Sequence, residues 1–199
     1  MSGRIELILG GARSGKSDWA AARAAELGDD VLFVATAEGL DDAMRSRIEA
    51  HRRDRPAAWT TLEEPREVAA RLRDLQRRHE VIVLDCVTLL VSNWLLAEEP
   101  SVASHRDRLR RIKSRVDELC AALRRSADRA IVVSNEVGGG IVPGNETARR
   151  FRDDLGSVNR LLAEQADTVL VMVAGLPLLL KSPPTSGPET ESTPGGARP

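Results

Sequence analysis

The sequence predicts an α/β fold in which a mostly parallel sheet is flanked by helices on both faces. Apolar runs of strand length alternate with amphipathic helical stretches, and most of those runs are apolar from end to end. That is the pattern of parallel strands buried on two sides. Three of the runs also end in glycines or a polar residue. Ligands collect at the carboxyl ends of such strands, so those ends are where chemistry is sought.

The elements follow in order. IELIL (5–9) runs into glycines, the mark of a strand feeding a tight turn, and SDWAAARAAEL (17–27) has helical composition. VLFVAT (31–36) is a buried strand, rich in β-branched and aromatic residues. Residues 41–54 read as a helix with Asp41 or Asp42 at the amino end, closed by Pro56. A helix is expected over 65–79, with Val68, Leu72 and Leu75 on one face. VIVLDC (81–86) is a third strand, apolar until Asp85, and a helix begins near Val87. Leu109, Ile112, Val116, Leu119, Cys120 and Leu123 form the clearest helical stripe in the chain. AIVVSNEV (130–137) is a fourth strand ending in GGGIVPG, and a helix with Phe151, Leu155, Val158, Leu161 and Leu162 on one side follows. TVLVMVAGLPLLLK closes the ordered part as two short strands split at Gly175.

Residues 1–181 therefore make one domain. Residues 182–199 carry five of the ten prolines and no apolar side chain besides proline and Ala197, so this tail is expected to be disordered. With 29 basic against 30 acidic residues, no global field argues for nucleic acid or a membrane surface. No segment reaches the apolar length of a membrane span, and the amino terminus lacks a signal peptide. Cys86 and Cys120 have no metal-ligand spacing and read as buried thiols in a reducing compartment. A soluble, cytoplasmic protein is expected.

GGARSGKS, comprising Gly10, Gly11, Ala12, Arg13, Ser14, Gly15, Lys16 and Ser17, satisfies the Walker A pattern between a strand and a helix. Backbone amides of such a loop turn inward around phosphate oxygens, and the helix start adds to the attraction. Lys16 neutralises the outer phosphates in this reading, and the Ser17 hydroxyl ligates Mg²⁺. The fold is accordingly P-loop NTPase-like. Asp85 stands where a Walker B acid stands, and a metal role is favoured over helix capping because an acid after VIVL is costly to bury.

Other residues leave two readings open. His51 sits among Arg47, Arg52, Arg53 and Arg55. It is either a histidine that attacks phosphorus, through its neutral imidazole, or part of a solvated helix face. The glycine triplet after NEV, with Arg149, Arg150 and Arg152 beyond it, is either a ligand loop or a flexible one. Glu63 and Glu64 either meet a guanine edge or stand exposed. His79 and His105 read as solvent-facing helix residues without a role.

Several blocks in one order together resemble the bifunctional adenosylcobinamide kinase / adenosylcobinamide-phosphate guanylyltransferase family of cobalamin synthesis. They are GGARSGKS, FVAT with DDAMRSRIEAHRRDRPAAWTTLEEP, VIVLDCVTLLVSN, VVSNEVGGGIVPGNETARRFRDDLGSVNRLLAEQAD and LVMVAGLPLLLK, spanning roughly residues 5–181. The resemblance implies phosphorylation of adenosylcobinamide by ATP or GTP, then transfer of GMP from GTP to adenosylcobinamide phosphate through a covalent GMP–histidine. His51 matches that histidine, while Lys16 and Ser17 match the P-loop residues on phosphate and metal. Further implied nucleotide contacts fall on Ala35, Thr36, Ala37, Arg52, Arg53, Asp54, Arg55, Glu63 and Asp85. A homotrimer is implied too. Some members carry two adjacent histidines, and here the first of the two places is Ala50. A P-loop kinase with one activity remains an alternative. A nucleotide switch would need a guanine-reading N-K-x-D segment, which this chain lacks.

Overall fold

The computed structural model describes residues 2–39, 41–53, 55–97 and 104–182, and the side chains of these except Ala43, Arg47 and His105. Asp54 and nearly all of the tail (183–199) lie outside the described residues. Among the described residues, seven strands form one sheet in the order β3-β2-β4-β5-β1-β6-β7. The strands are β1 (Arg4–Gly10), β2 (Val31–Ala35), β3 (Thr60–Glu63), β4 (His79–Asp85), β5 (Ala127–Val133), β6 (Thr168–Val173) and β7 (Leu176–Lys181). All neighbours pair in parallel except β6 and β7, which form an antiparallel hairpin at one edge.

The helices are α1 (Lys16–Leu27), α2 (Asp42–Arg53), α3 (Val68–Arg73), α4 (Val87–Ala97), α5 (His105–Ser126) and α6 (Glu146–Gln165). They divide unequally between the two faces. Leu7, Leu32, Ile82 and Val132 point to a large core shared with α3 to α6, whereas Ile8, Phe33, Val83 and Ile131 meet Ala20 and Ala24 of α1. Alternation along each strand sends apolar side chains both ways, so strands sandwiched between layers are apolar throughout. The α5 stripe is buried from Ile112 onward, with Val116, Leu119, Cys120 and Leu123 inside, while Leu109 near the start of the helix is exposed. Ser104 caps α5 and Asn145 caps α6, each side chain accepting a backbone N–H of the first turn. No helix among the described residues is long and apolar enough to cross a membrane.

The strand expected over 130–137 runs instead over Ala127–Val133, and residues 65–79 and 60–63 depart further from the sequence expectation. The helix expected over 65–79 shrinks to Val68–Arg73, because Arg77, Arg78 and His79 are claimed by distant partners. The Arg78 guanidinium donates to the carbonyls of Arg125 (2.7 Å) and Ala127 and to Asp128. His79, expected on an exposed helix, instead opens β4 and is buried, its Nδ1 lying 3.0 Å from Asp30. β3 went unrecognised in the sequence. TTLE offers one apolar residue and becomes a strand by pairing with β2, Leu32 opposite Thr60 through Ala35 opposite Glu63.

The Asp30 cluster has a pH consequence. Its hydrogen-bonded pairing with Arg77, aided by His79, outweighs desolvation and lowers the Asp30 carboxyl from its usual range to about 2. A depressed carboxylate stabilises the fold fully above its unfolded value, about 3.9, and loses that contribution as pH falls toward the folded value. Asp30→Asn is therefore expected to lower the melting temperature at neutral pH and to flatten its dependence on pH between about 4 and 2. Thermal unfolding of both proteins at several acidic pH values measures this.

Candidate active site

The loop between β1 and α1 is bent by glycine and closed by its own hydrogen bonds. Gly10 has φ 154° and Gly15 has φ 88°, and Arg13 is also left-handed at 56°. A side chain at Gly10 would meet the Met172 carbonyl and the Ser14 hydroxyl at 2.7 Å, so only glycine fits there. Gly15 caps α1 without contributing a side chain, which leaves the first-turn amides of that helix for an anion. The β6–β7 turn braces the loop from outside, the Gly175 N–H donating to the Ser14 carbonyl at 3.1 Å. Lys16 is buried, and its Nζ donates to the Gly11 carbonyl at 2.6 Å.

A cleft of about 710 Å³ opens above this loop, within the ~300–1,000 Å³ range of ligand sites. The loop supplies Ala12, Arg13, Ser14, Gly15, Lys16 and Ser17, and the strand ends supply Ala35, Ala37, Glu63 and Asp85. Helix α2 and the segment after it supply His51, Arg52 and Arg55. Thirteen of the residues singled out from the sequence thus line one cavity.

Four others do not. Gly10 is buried at the end of β1, and Gly11 offers its carbonyl to Lys16. Thr36 is fully buried, its hydroxyl donating to the Cys86 carbonyl (2.7 Å) and accepting from the Cys86 N–H (2.9 Å). Arg53 is exposed outside the cleft, with Nε donating to the Glu49 carbonyl.

Helix α2 explains how a solvated helix can belong to a site. Asp41 caps it by accepting from the Met44 N–H at 2.7 Å. None of its described side chains is buried, so it contributes a wall rather than core. Met44, Ile48, His51 and Arg52 all face the cleft, following the i, i+4, i+7, i+8 spacing of one helix face. Arg45 and Glu49 line it as well. The sequence reading missed the apolar pair, although Met44 and Ile48 four apart on a charged helix were a legible signal. Asn135, at the head of the segment read as a ligand loop or a flexible one, lines the cavity, and Phe33, Cys86 and Leu89 line it unforeseen, since whether a strand or helix residue reaches a cleft depends on tertiary placement.

Charge in the cleft is partly paired. Arg52 lies 2.7 Å from Glu63, tying the last turn of α2 to the end of β3. Arg55 is held differently. Its guanidinium carbon sits 3.7 Å above the Phe33 ring, and Phe33 in turn stacks on Trp59 with centroids 6.4 Å apart. Its Nε is buried without a hydrogen-bond partner among the described residues. Burial pulls this guanidinium below its usual range while the nearby Asp85 carboxylate pulls it back up. A half-buried cation with an unused donor beside a phosphate-type loop is placed to receive an anion.

The loop after β5 is anchored. Arg149 donates to the Pro143 and Gly144 carbonyls and Arg152 to the Gly138 carbonyl at 2.7 Å, so these arginines strap the glycine-rich segment to α6. Cys86 and Cys120 are free thiols, and burial pushes each up to about 11, which leaves them unreactive.

Comparison with known proteins agrees with this geometry. A family model described as cobinamide kinase / cobinamide phosphate guanyltransferase matches residues 6–180. The bifunctional adenosylcobalamin biosynthesis protein CobP of Pseudomonas aeruginosa is 42% identical over 179 residues, 90% of this chain and 98% of that protein. The bifunctional adenosylcobalamin biosynthesis proteins CobU of Escherichia coli and Salmonella typhimurium are 39% and 40% identical over 181 residues, each alignment covering 88% of this chain and 98% of the relative. With a Walker A loop, a strand-end acid and a histidine helix around one cleft, and a match from β1 to β7, the chain belongs to the cobinamide kinase / cobinamide phosphate guanyltransferase family.

Proposed function

We propose that this chain phosphorylates adenosylcobinamide with ATP or GTP and then transfers GMP from GTP to adenosylcobinamide phosphate through a GMP–His51 intermediate. The observation that carries the reading is that His51, Lys16 and Asp85, which come from three separate elements, line a single cleft. In the first step the acceptor hydroxyl attacks the γ-phosphorus and a nucleoside diphosphate leaves, so the protein needs only to hold the groups in line. Loop amides and Lys16 hold the phosphates. In the second step a ring nitrogen of His51 bonds to the α-phosphorus of GTP and pyrophosphate departs. The substrate phosphate then attacks the same phosphorus, the P–N bond breaks, and the product is adenosylcobinamide-GDP. Two displacements replace one difficult one.

Among the described residues, no three His, Cys, Asp or Glu side chains gather as a metal site. Magnesium takes one or two protein oxygens and fills its shell with water and substrate phosphates. The Ser17 hydroxyl and the Asp85 carboxylate, hard oxygen donors on the same cleft, would hold it. When bound, it would neutralise phosphate charge.

Arg55 supports charge on the transferring group in this reading. Arg55→Lys is expected to lower kcat/KM for GTP by about 10- to 100-fold, because a point charge lacks the planar fork that stacks on Phe33. Steady-state kinetics with varied GTP measures it. The homotrimer comes from the family resemblance; β7, an edge strand exposed at every residue, with Leu176, Leu178, Leu179 and Leu180 between 54% and 71% accessible, is an apolar surface that a contact between copies would cover. Such an edge invites cover, and the tail lacks the apolar residues to supply it. Sedimentation equilibrium measures the assembly.

Mass spectrometry of the intact protein after incubation with GTP and magnesium tests the central step. One added GMP located on His51 is expected. Accumulation of adenosylcobinamide phosphate in the presence of GTP, with neither GMP adduct nor adenosylcobinamide-GDP formed, would leave a kinase of one activity.

A further inference from the structure

Helix α4 reads VTLLVSNWLLA, and its one amide side chain is buried at 5% exposure in an otherwise apolar setting. Asn93 uses its Nδ2 twice, donating to the Thr36 carbonyl at 2.9 Å and to the Pro65 carbonyl at 2.9 Å. Those carbonyls belong to two chain segments, one leaving β2 and the other leaving β3, which meet Asn93 from 57 and 28 residues away. Trp94 continues the attachment, its indole N–H donating to the Arg66 carbonyl at 2.9 Å.

Each clamped segment carries cleft residues. Thr36 lies between Ala35 and Ala37, and its hydroxyl is committed to Cys86, the residue after Asp85. Pro65 follows Glu63 and Glu64, and the Glu64 N–H donates to the Ala35 carbonyl at 2.9 Å. Glu63 in turn holds Arg52, the neighbour of His51. One buried amide thus ties together the ends of β2 and β3 and the wall they form opposite the phosphate loop. Both protons of the Nδ2 group are used, and no smaller or apolar side chain can serve two carbonyls at once.

We propose that Asn93 is a positioning residue for the nucleotide, holding the Ala37 and Glu63 segments in register so that the cleft wall is formed before the nucleotide enters. The proposal rests on the nucleotide-binding reading of the cleft given above. Asn93 itself touches no substrate. It acts by keeping two loops preorganised, so its loss falls on binding before it falls on chemistry. The buried Thr36 carbonyl and the half-buried Pro65 carbonyl, left without donors, would instead seek water, and the loops would separate.

The test uses the full chain with GTP as the probe. Asn93→Ala is expected to raise KM and the calorimetric Kd for GTP about tenfold with kcat changed less than threefold. Asn93→Ser, which keeps one donor and adds no bulk, is expected to fall between and serves if the alanine variant does not fold. Val116→Ala, in the same core but on α5, is the control for lost stability alone and is expected to leave KM unchanged. A GTP KM within twofold of wild type in folded Asn93→Ala, or in Asn93→Ser where the alanine variant does not fold, overturns the proposal. So does an equal rise in the Val116→Ala control. Failure of the wild-type chain to bind GTP is a different result, and it removes the nucleotide reading itself.

Discussion

His51→Ala is expected to abolish protein-bound GMP and to lower guanylyl transfer by at least ~10³-fold, with kinase turnover within about threefold of wild type. The asymmetry follows from chemistry. A phosphoryl transfer to a hydroxyl needs no protein nucleophile, so deleting an imidazole on the opposite wall leaves its in-line geometry intact. Guanylyl transfer by double displacement has no route without a nitrogen to carry the nucleotide. The fold should tolerate the change, because His51 is exposed and no described side chain of α2 is buried. Ala50 offers no second histidine to take over. Acid-labile label from α-³²P-GTP measures the adduct, and separate quantification of cobinamide phosphate and its GDP derivative measures the two steps. Undiminished labelling in the variant would remove His51 from the mechanism.

Lys16→Ala is expected to act on both steps together, lowering kcat by about 10²–10³-fold for each. The lysine ammonium is buried at the base of the phosphate loop, where a charge counts for more than it does in water. Its bonds to Gly11 and Ser14 lie within the loop, and the brace from Gly175 to Ser14 does not involve its side chain. Circular dichroism should therefore show a folded protein. The pair of variants separates the roles. Loss of one step with His51→Ala and of both with Lys16→Ala is the pattern of one shared phosphate site and one added nucleophile. Kinase turnover unaffected by Lys16→Ala would place the phosphates elsewhere.

Much of this was legible in the chain itself. The P-loop could be read because its requirement is local: a strand, a glycine turn and a helix start must follow one another without interruption. The α5 stripe could be read for the same reason, since five side chains one or two turns apart must share a face. His79 was misread because its sequence neighbourhood looks helical, while its fate is set by Asp30, 49 residues away. β3 was missed because TTLE becomes a strand only beside β2. Thr36 is a nucleotide contact only by the family resemblance, and nothing in its own sequence told that its buried hydroxyl joins the ends of β2 and β4.

By itself the sequence determined the alternation of strands and helices, the phosphate loop, and the family resemblance that pointed to His51. The first two rest on local spacing, which survives without knowledge of the fold, and the third on a likeness of whole sequence blocks. Only the tertiary structure decided that the solvated helix α2 turns one face to the cleft, that Arg55 lies over Phe33 with an unused donor, and that Asn93 holds two loops at once. Each of those depends on elements far apart in the chain meeting across the sheet, and such meetings are selected by packing and hydrogen-bond satisfaction over the whole domain.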